Sequence, residues 1–175
     1  YIPRKPDVSG DTLEVRSQVY GYSEASDISY EAGFTFNKAF GDRFALRGTL
    51  GYLSDSGFVD YPFVVQEIGV SEPDPDFTNA AARAANFAPA EDANGQDATF
   101  GRIAARWMPF EWLDGTLTYY YQQQDIEGRT ISSMRSTVPA GEYEAGMRVL
   151  EPNDRKQELL SLEVIADLGF AELTS

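Results

Sequence analysis

The chain contains no cysteine and no histidine. Without cysteine there is no disulfide framework and no thiolate metal site. Without histidine the commonest metal ligand and general base are gone, and with them the ordinary Ser-His-Asp triad. Positive charge is also scarce. Lys+Arg 14 against Asp+Glu 28 give a net charge of -14, with no basic stripe to follow a phosphate backbone, so nucleic acid is not expected as a partner. No run of about 18 apolar residues occurs, which excludes a membrane-spanning helix. It does not exclude a barrel, whose strands are apolar on one face only. Nor does a signal peptide open the chain: YIPRKPD reads as if cut from something longer or already processed.

What is present is alternation. The chain has 175 residues, 42% of them hydrophobic and 13% aromatic, which suits one folded domain. Residues 1–10, with two prolines and a glycine, read as an extended lead-in or linker. From Thr12 to Tyr22, Leu13, Val15, Ser17 and Val19 face one way and Glu14, Arg16, Gln18 and Tyr20 the other. The next stretch, YEAGFTFNKAFGDRFALRGTLGYLSDSG, reads as a hairpin with its turn at Gly41-Asp42. Its arms put Tyr30, Ala32, Phe34, Phe36 and Phe40, then Phe44, Leu46, Gly48, Leu50 and Tyr52, on one face, and Glu31, Thr35, Asn37, Arg47 and Thr49 on the other. A fourth strand is expected over Thr99–Trp107, with Arg102 and Arg106 on a face that does not suit a dry core. A fifth is expected at TLTYYYQQQ, and a sixth around Leu160–Leu168, where Leu162 and Val164 oppose Glu163. AELTS begins what reads as a seventh.

The connections alternate in length. Turns at Gly41, Pro109–Gly115 and Gly169 are tight and flanked by aromatics, whereas alternation lapses at about 58–98 and 125–156, and both long stretches fall on one side. Four prolines, Pro62, Pro73, Pro75 and Pro89, forbid a continuous strand in the first loop, where the alanine run Asn79–Asn86 favours a short helix. Short turns on one side and long loops on the other are the asymmetry of an outer-membrane barrel. The expected fold is therefore all-β: an antiparallel up-and-down transmembrane β-barrel, present in part as about six strands and the start of a seventh, and occupying residues 11–175. A soluble β-domain that binds a partner, and a small passive barrel or adhesin, are the alternatives.

Chemistry is thin. The carboxylates of SEPDPD, Glu72, Asp74 and Asp76, are of the type that hard cations take, although a solvated acidic loop is the simpler reading. Tyr61, Phe63, Phe77, Phe87 and Tyr143 are unusual in polar loops. They either line a ligand vestibule with Arg129 and Arg135 or pack one loop on the other. No catalysis, no metal and no cofactor are expected.

The lead-in YIPRKPDVSG and the arm FNKAFGDRFALRGTLGYLSDSGFVD resemble the TonB-dependent outer-membrane receptors, large plugged barrels that import siderophores, vitamins and similar nutrients. The lead-in resembles the hand-over from plug to barrel, and the D-R-F-A-L-R arm the first barrel hairpin. The resemblance implies residence in the bacterial outer membrane among lipid and lipopolysaccharide. It also implies energy-coupled uptake of a scarce small nutrient such as a ferric siderophore, and coupling to TonB through a plug region absent from this sequence. The chain would then be a segment of a longer receptor.

Overall fold

The computed structural model of the protein describes residues 4–131 and 139–175. Strands β1 (Thr12–Tyr20), β2 (Ser29–Phe40) and β3 (Phe44–Asp55) are followed by helix α1 (Ala80–Asn86) and then by β4 (Gln96–Phe110), β5 (Leu113–Ile126), β6 (Asn153–Asp167) and β7 (Glu172–Thr174). The strands form one antiparallel sheet in the order β1-β2-β3-β4-β5-β6-β7, so every neighbour in sequence is a neighbour in space. The sheet does not close: β1 pairs only with β2, and β7 only with β6.

Local chemistry explains the tight ends. Between Phe40 and Phe44 the chain reverses through Gly41, whose φ of 74° is a left-handed value that glycine adopts without steric cost. Asp42 has no such backbone conformation, so the positive φ expected of the Gly41-Asp42 pair rests on the glycine alone. The second turn is tighter than Pro109–Gly115: β4 runs to Phe110 and β5 starts at Leu113. Pro109 sits where the register shifts between Trp107 and Phe110, an irregularity that accommodates a residue with no N–H to give the ladder.

At their other ends the strands run further than alternation suggested. β4 begins at Gln96, β5 reaches Ile126 and β6 begins at Asn153, so the long connections are 56–95 and 127–152. Gln122↔Gln157, Gln123↔Lys156, Gln124↔Arg155 and Asp125↔Asp154 pair in register although none has an apolar face. Main-chain hydrogen bonds make the ladder, and they are indifferent to side-chain polarity once the partner strand is in place. The alanine run is helical, and the Asn79 carboxamide oxygen caps it by accepting from Ala81 N–H at 3.0 Å and Ala82 N–H at 3.2 Å.

Register fixes the two faces. One side carries rows such as Leu13, Phe36, Gly48, Ile103, Tyr119 and Leu160, the other rows such as Glu14, Thr35, Thr49, Arg102, Tyr120 and Leu159. The polar side is the more buried: Thr35, Asn37, Thr116 and Thr118 are buried, while Leu162 is 63% exposed and Trp107 61% exposed on the apolar side. Among the described residues, the clusters of buried apolar side chains lie not on the sheet but between the two long connections.

Candidate functional site: the concave face and the loop cap

The polar face encloses a trough of about 1300 Å³, reached from β1 through β6 and from the lead-in. Across its middle the hydroxyls of Thr35 and Thr49 meet at 3.0 Å, and the Arg102 guanidinium lies 5.5 Å from the Tyr120 ring centroid. Nearer the tight turns, Arg106 makes an ion pair with Asp114 at 2.9 Å, its Nε also donating to the same carboxylate at 3.1 Å.

Residues 4–10 cross this face. The Asn37 carboxamide holds them, its oxygen accepting from Asp7 N–H at 2.9 Å and its nitrogen donating to the carbonyls of Asp7 and Gly10, each at 2.7 Å. Arg102 donates to the Arg4 carbonyl at 3.0 Å, Arg106 donates to the Pro6 carbonyl at 3.3 Å, and Lys5 pairs with Glu163. Pro6 is fully buried beneath them. The Asp7 carboxylate is turned back on its own segment, where the Ser9 hydroxyl and then the Ser9 N–H hold it below the usual carboxylate range. The segment is thus stapled to β2 and β4 by backbone carbonyls that would otherwise lie unpaired against the sheet, and to β6 by the Lys5–Glu163 ion pair.

Above the strand ends the two long connections form a shared cap. Tyr61 is 0% exposed and packs with Val59, Ala93 and Ala145, which brings residues of both connections into one cluster. A second cluster sets Phe63, 4% exposed, against Phe87, with Phe77 and Ala140 on its flank. Main-chain bonds join the two connections as well: Asp60 N–H donates to the Tyr143 carbonyl at 2.9 Å, Ala145 N–H to the Asp60 carbonyl at 2.8 Å, and Val65 N–H to the Arg148 carbonyl at 2.9 Å. Arg148 clasps them. Its guanidinium lies 5.5 to 5.6 Å from the rings of Phe63, Phe77 and Phe87, pairs with Asp74 at 2.8 Å and donates to the carbonyls of Pro73 and Gly146. Asn94 pins the base, accepting from Phe58 N–H at 2.8 Å and Val59 N–H at 2.7 Å.

The sequence-derived candidates fall into distinct places. Tyr61 and Phe63 are interior residues of the cap, and Phe77 and Phe87 stack on the same cluster, so these aromatics pack loop against loop. The physical reason is that a long connection carrying several aromatics buries them against the nearest apolar surface, here its companion. Tyr143 keeps 44% of its surface exposed and meets Phe58 edge-on at 6.3 Å. Arg129 is exposed and pairs with Glu151 at 3.2 Å, while Arg135 lies outside the described residues. Of the SEPDPD carboxylates, Asp74 is taken by Arg148, and Asp76 accepts from both the N–H and the hydroxyl of Thr78. Sequence reasoning missed Arg148 as the clasp and Asn37 as the anchor. No local signal marks either, since their partners stand 75 and 30 residues away. Compared with protein-family models, curated proteins and solved structures, the chain matches none of them.

Proposed function

We propose that this chain forms part of the wall of an outer-membrane β-barrel of the TonB-dependent receptor type, which takes up a scarce nutrient such as a ferric siderophore by energy coupling and performs no catalysis. The observation that carries the reading is the inverted amphipathicity of the sheet. Its more buried face holds threonines and asparagine, with Arg47, Arg102 and Arg106 half-buried among them, and its exposed face holds leucine, isoleucine, phenylalanine and tryptophan. In water that arrangement leaves a continuous apolar patch facing solvent. In a bilayer the same patch faces lipid and the polar side faces a wet lumen. Aromatic pairs bound the patch, Phe40–Phe44 and Phe110–Trp112 at the tight turns and Tyr30–Tyr52 at the loop end. Phe44 to Tyr52 covers roughly 27 Å of strand at about 3.4 Å per residue. At a tilt of about 40° that is about 21 Å of depth, near the band of a barrel wall.

Two further features fit. The open edges of β1 and β7 suit a sheet that pairs with more strands of the same wall, since a bare edge is an aggregation template. The lead-in, bound across the lumen face, suits a chain passing from a plug into its barrel. The test is a single nitroxide label moved through positions 44–52 in the membrane-inserted protein, read by collision with oxygen, which concentrates in lipid, and with a water-soluble nickel reagent. Oxygen contact is expected to peak at Leu46, Gly48 and Leu50 and to vanish at Arg47 and Thr49. Shielding of the even positions from both reagents would make them a protein core and end the membrane reading. Energy coupling is tested separately, by loss of nutrient uptake when the inner-membrane proton gradient is collapsed.

A further inference from the structure

The chain has five asparagines, followed by Lys38, Ala80, Phe87, Gly95 and Asp154, so Asn94-Gly95 is its one Asn-Gly pair. In such a pair the glycine nitrogen attacks the side-chain amide carbon with no Cβ in its way, the reaction that makes asparagine thermolabile. Here the pair stands where that attack is blocked. Asn94 is 7% exposed. Its carboxamide oxygen accepts from the N–H groups of Phe58 and Val59 at 2.8 and 2.7 Å, and its nitrogen donates to the Thr130 hydroxyl at 3.2 Å. The attacking residue is held as well: Gly95 N–H donates to the Asp92 carbonyl at 3.1 Å, and the Gly95 carbonyl accepts from Glu127 N–H at 2.9 Å. Gly57 presses on the same atoms, since a Cβ there would stand 2.7 Å from Gly95 N and from the Asp92 carbonyl oxygen, and 2.8 Å from Asn94 Oδ1. Ring closure needs Gly95 N to leave Asp92, the carboxamide to leave Phe58, Val59 and Thr130, and water to enter. The closed cap holds against all three. It opens more readily than the sheet, because its two connections are joined by small side-chain clusters and the Arg148 clasp instead of a continuous ladder.

We propose that Asn94 is a latent modification site, shielded while the cap is closed and deamidated when it opens, and that its isoaspartate form keeps the cap from closing again. In the step, Gly95 N gives up its proton and bonds to Asn94 Cγ, the Cγ–Nδ2 bond breaks, and ammonia leaves with that proton. Water then opens the cyclic imide. Attack at Cγ restores the ordinary backbone with an aspartate, whose carboxylate still accepts from Phe58 and Val59 and takes a hydrogen bond from the Thr130 hydroxyl, a group that both donates and accepts. Attack at the main-chain carbonyl carbon routes the chain through Cβ and Cγ and adds one backbone atom between Ala93 and Gly95. Both sides of that insertion are pinned, by Ala93 N–H on the Val59 carbonyl at 2.8 Å and by Gly95 on Asp92 and Glu127, so the isoaspartate cannot keep the register.

The experiment incubates the full chain in detergent micelles at mildly alkaline pH and follows Asn94 by peptide mass spectrometry and an isoaspartate methyltransferase assay, with the guanidinium-unfolded chain setting the intrinsic rate. Conversion in the folded chain is about tenfold or more slower than in the unfolded one, because it waits on the open population. Arg148→Ala and Gly57→Ala, which open the cap by different routes, raise it severalfold. Gly95→Ala slows conversion in the unfolded chain, which assigns the chemistry to this pair. In folded chain aged until isoaspartate accumulates, the Phe58 and Val59 amides exchange faster, whereas in Asn94→Asp they exchange as in the parent. Equal rates folded and unfolded, no acceleration in either cap variant, or an unfolded Gly95→Ala chain that converts as fast as the parent overturns the shielded site. Parent-like exchange in the isoaspartate form, or equal damage in Asn94→Asp, overturns its effect on the cap. The nitroxide scan decides the membrane reading without reference to any of these outcomes.

Discussion

The hydroxyl of Tyr61 accepts a hydrogen bond from the Arg129 N–H at 2.9 Å and donates one to the Arg129 carbonyl at 3.1 Å, so a single buried side chain closes both backbone groups of a residue in the opposite loop. Gly128 lies against it so closely that an added methyl would stand 2.3 Å from the Ala93 carbonyl oxygen. Tyr61→Phe is expected to cost about 1 kcal/mol locally, since it leaves the Arg129 N–H to find water while the Arg129 carbonyl keeps the Ile131 N–H at 2.9 Å. Gly128→Ala is expected to do more, because backbone must shift. Amide exchange at Arg129 measures both, with the strand amides as the unchanged reference.

Arg148 joins the connections through one guanidinium, so its removal is expected to separate them. Arg148→Ala exposes Phe63, Phe77 and Phe87 to protease in the stretch 63–90 and leaves the sheet intact. Arg148→Lys keeps the charge but not the planar stacking or the multiple donors, and restores little. Limited proteolysis of the purified protein reads this directly. Deleting 127–152 has the same effect on a larger scale, because it removes Ala145 and Arg148 from the shared core.

Asn37 is expected to control whether residues 4–10 stay on the concave face. Asn37→Ala removes three hydrogen bonds and costs about 2 kcal/mol of segment docking. Asn37→Asp fails similarly because a carboxylate cannot donate to the Asp7 and Gly10 carbonyls. A spin label at Ser9 should become mobile in both variants, while retained heat-modifiable migration on a gel shows that the strands are undisturbed.

On the membrane reading proposed above, Leu162→Arg, near the middle of the apolar face, is expected to cost about 2 to 4 kcal/mol in a bilayer, against little for Arg47→Gln on the polar face. Glu163→Gln differs from Arg47→Gln because it releases Lys5 and so mobilises the lead-in. Equilibrium unfolding from lipid vesicles separates the three.

Alkaline pH is expected to loosen the base of the cap. Partial burial beside Phe58, and then the hydrogen bond to the Asp55 carboxylate at 2.9 Å, push the Tyr22 hydroxyl up to about 12, from the ordinary 10.0. Burial likewise raises Tyr61 above its ordinary value. A raised folded value means that the folded state holds the proton more tightly. The stabilisation is therefore fully present below pH 10 and, for Tyr22, is lost between 10 and about 12. Tyrosinate absorbance followed against pH, with Tyr22→Phe and Tyr61→Phe as controls, assigns the transition. A cap that opens at the same pH in both variants would remove the tyrosines as its cause.

The period of two along Leu13–Val19, Tyr30–Phe40, Phe44–Tyr52 and Leu160–Val164 determined by itself which residues share a face, and Gly41 and Gly169 marked where the chain turns, because alternation and left-handed backbone are local properties. Strand ends were not legible in the same way. Asp125, Ile126 and Asn153 to Gln157 join the ladder through main-chain bonds that no side-chain pattern announces. Whether the loop aromatics meet a ligand or one another was equally beyond the sequence, since Tyr61, Phe63, Phe77 and Phe87 are apolar in either case. Tertiary structure shows them packed on one another, with Ala145 and Arg148 brought to them from the other loop. That Arg16, Arg47 and Arg102 share one face likewise depends on the register of four strands: each arginine is by itself an ordinary polar residue of its strand, and only pairing across the sheet sets them on a common surface.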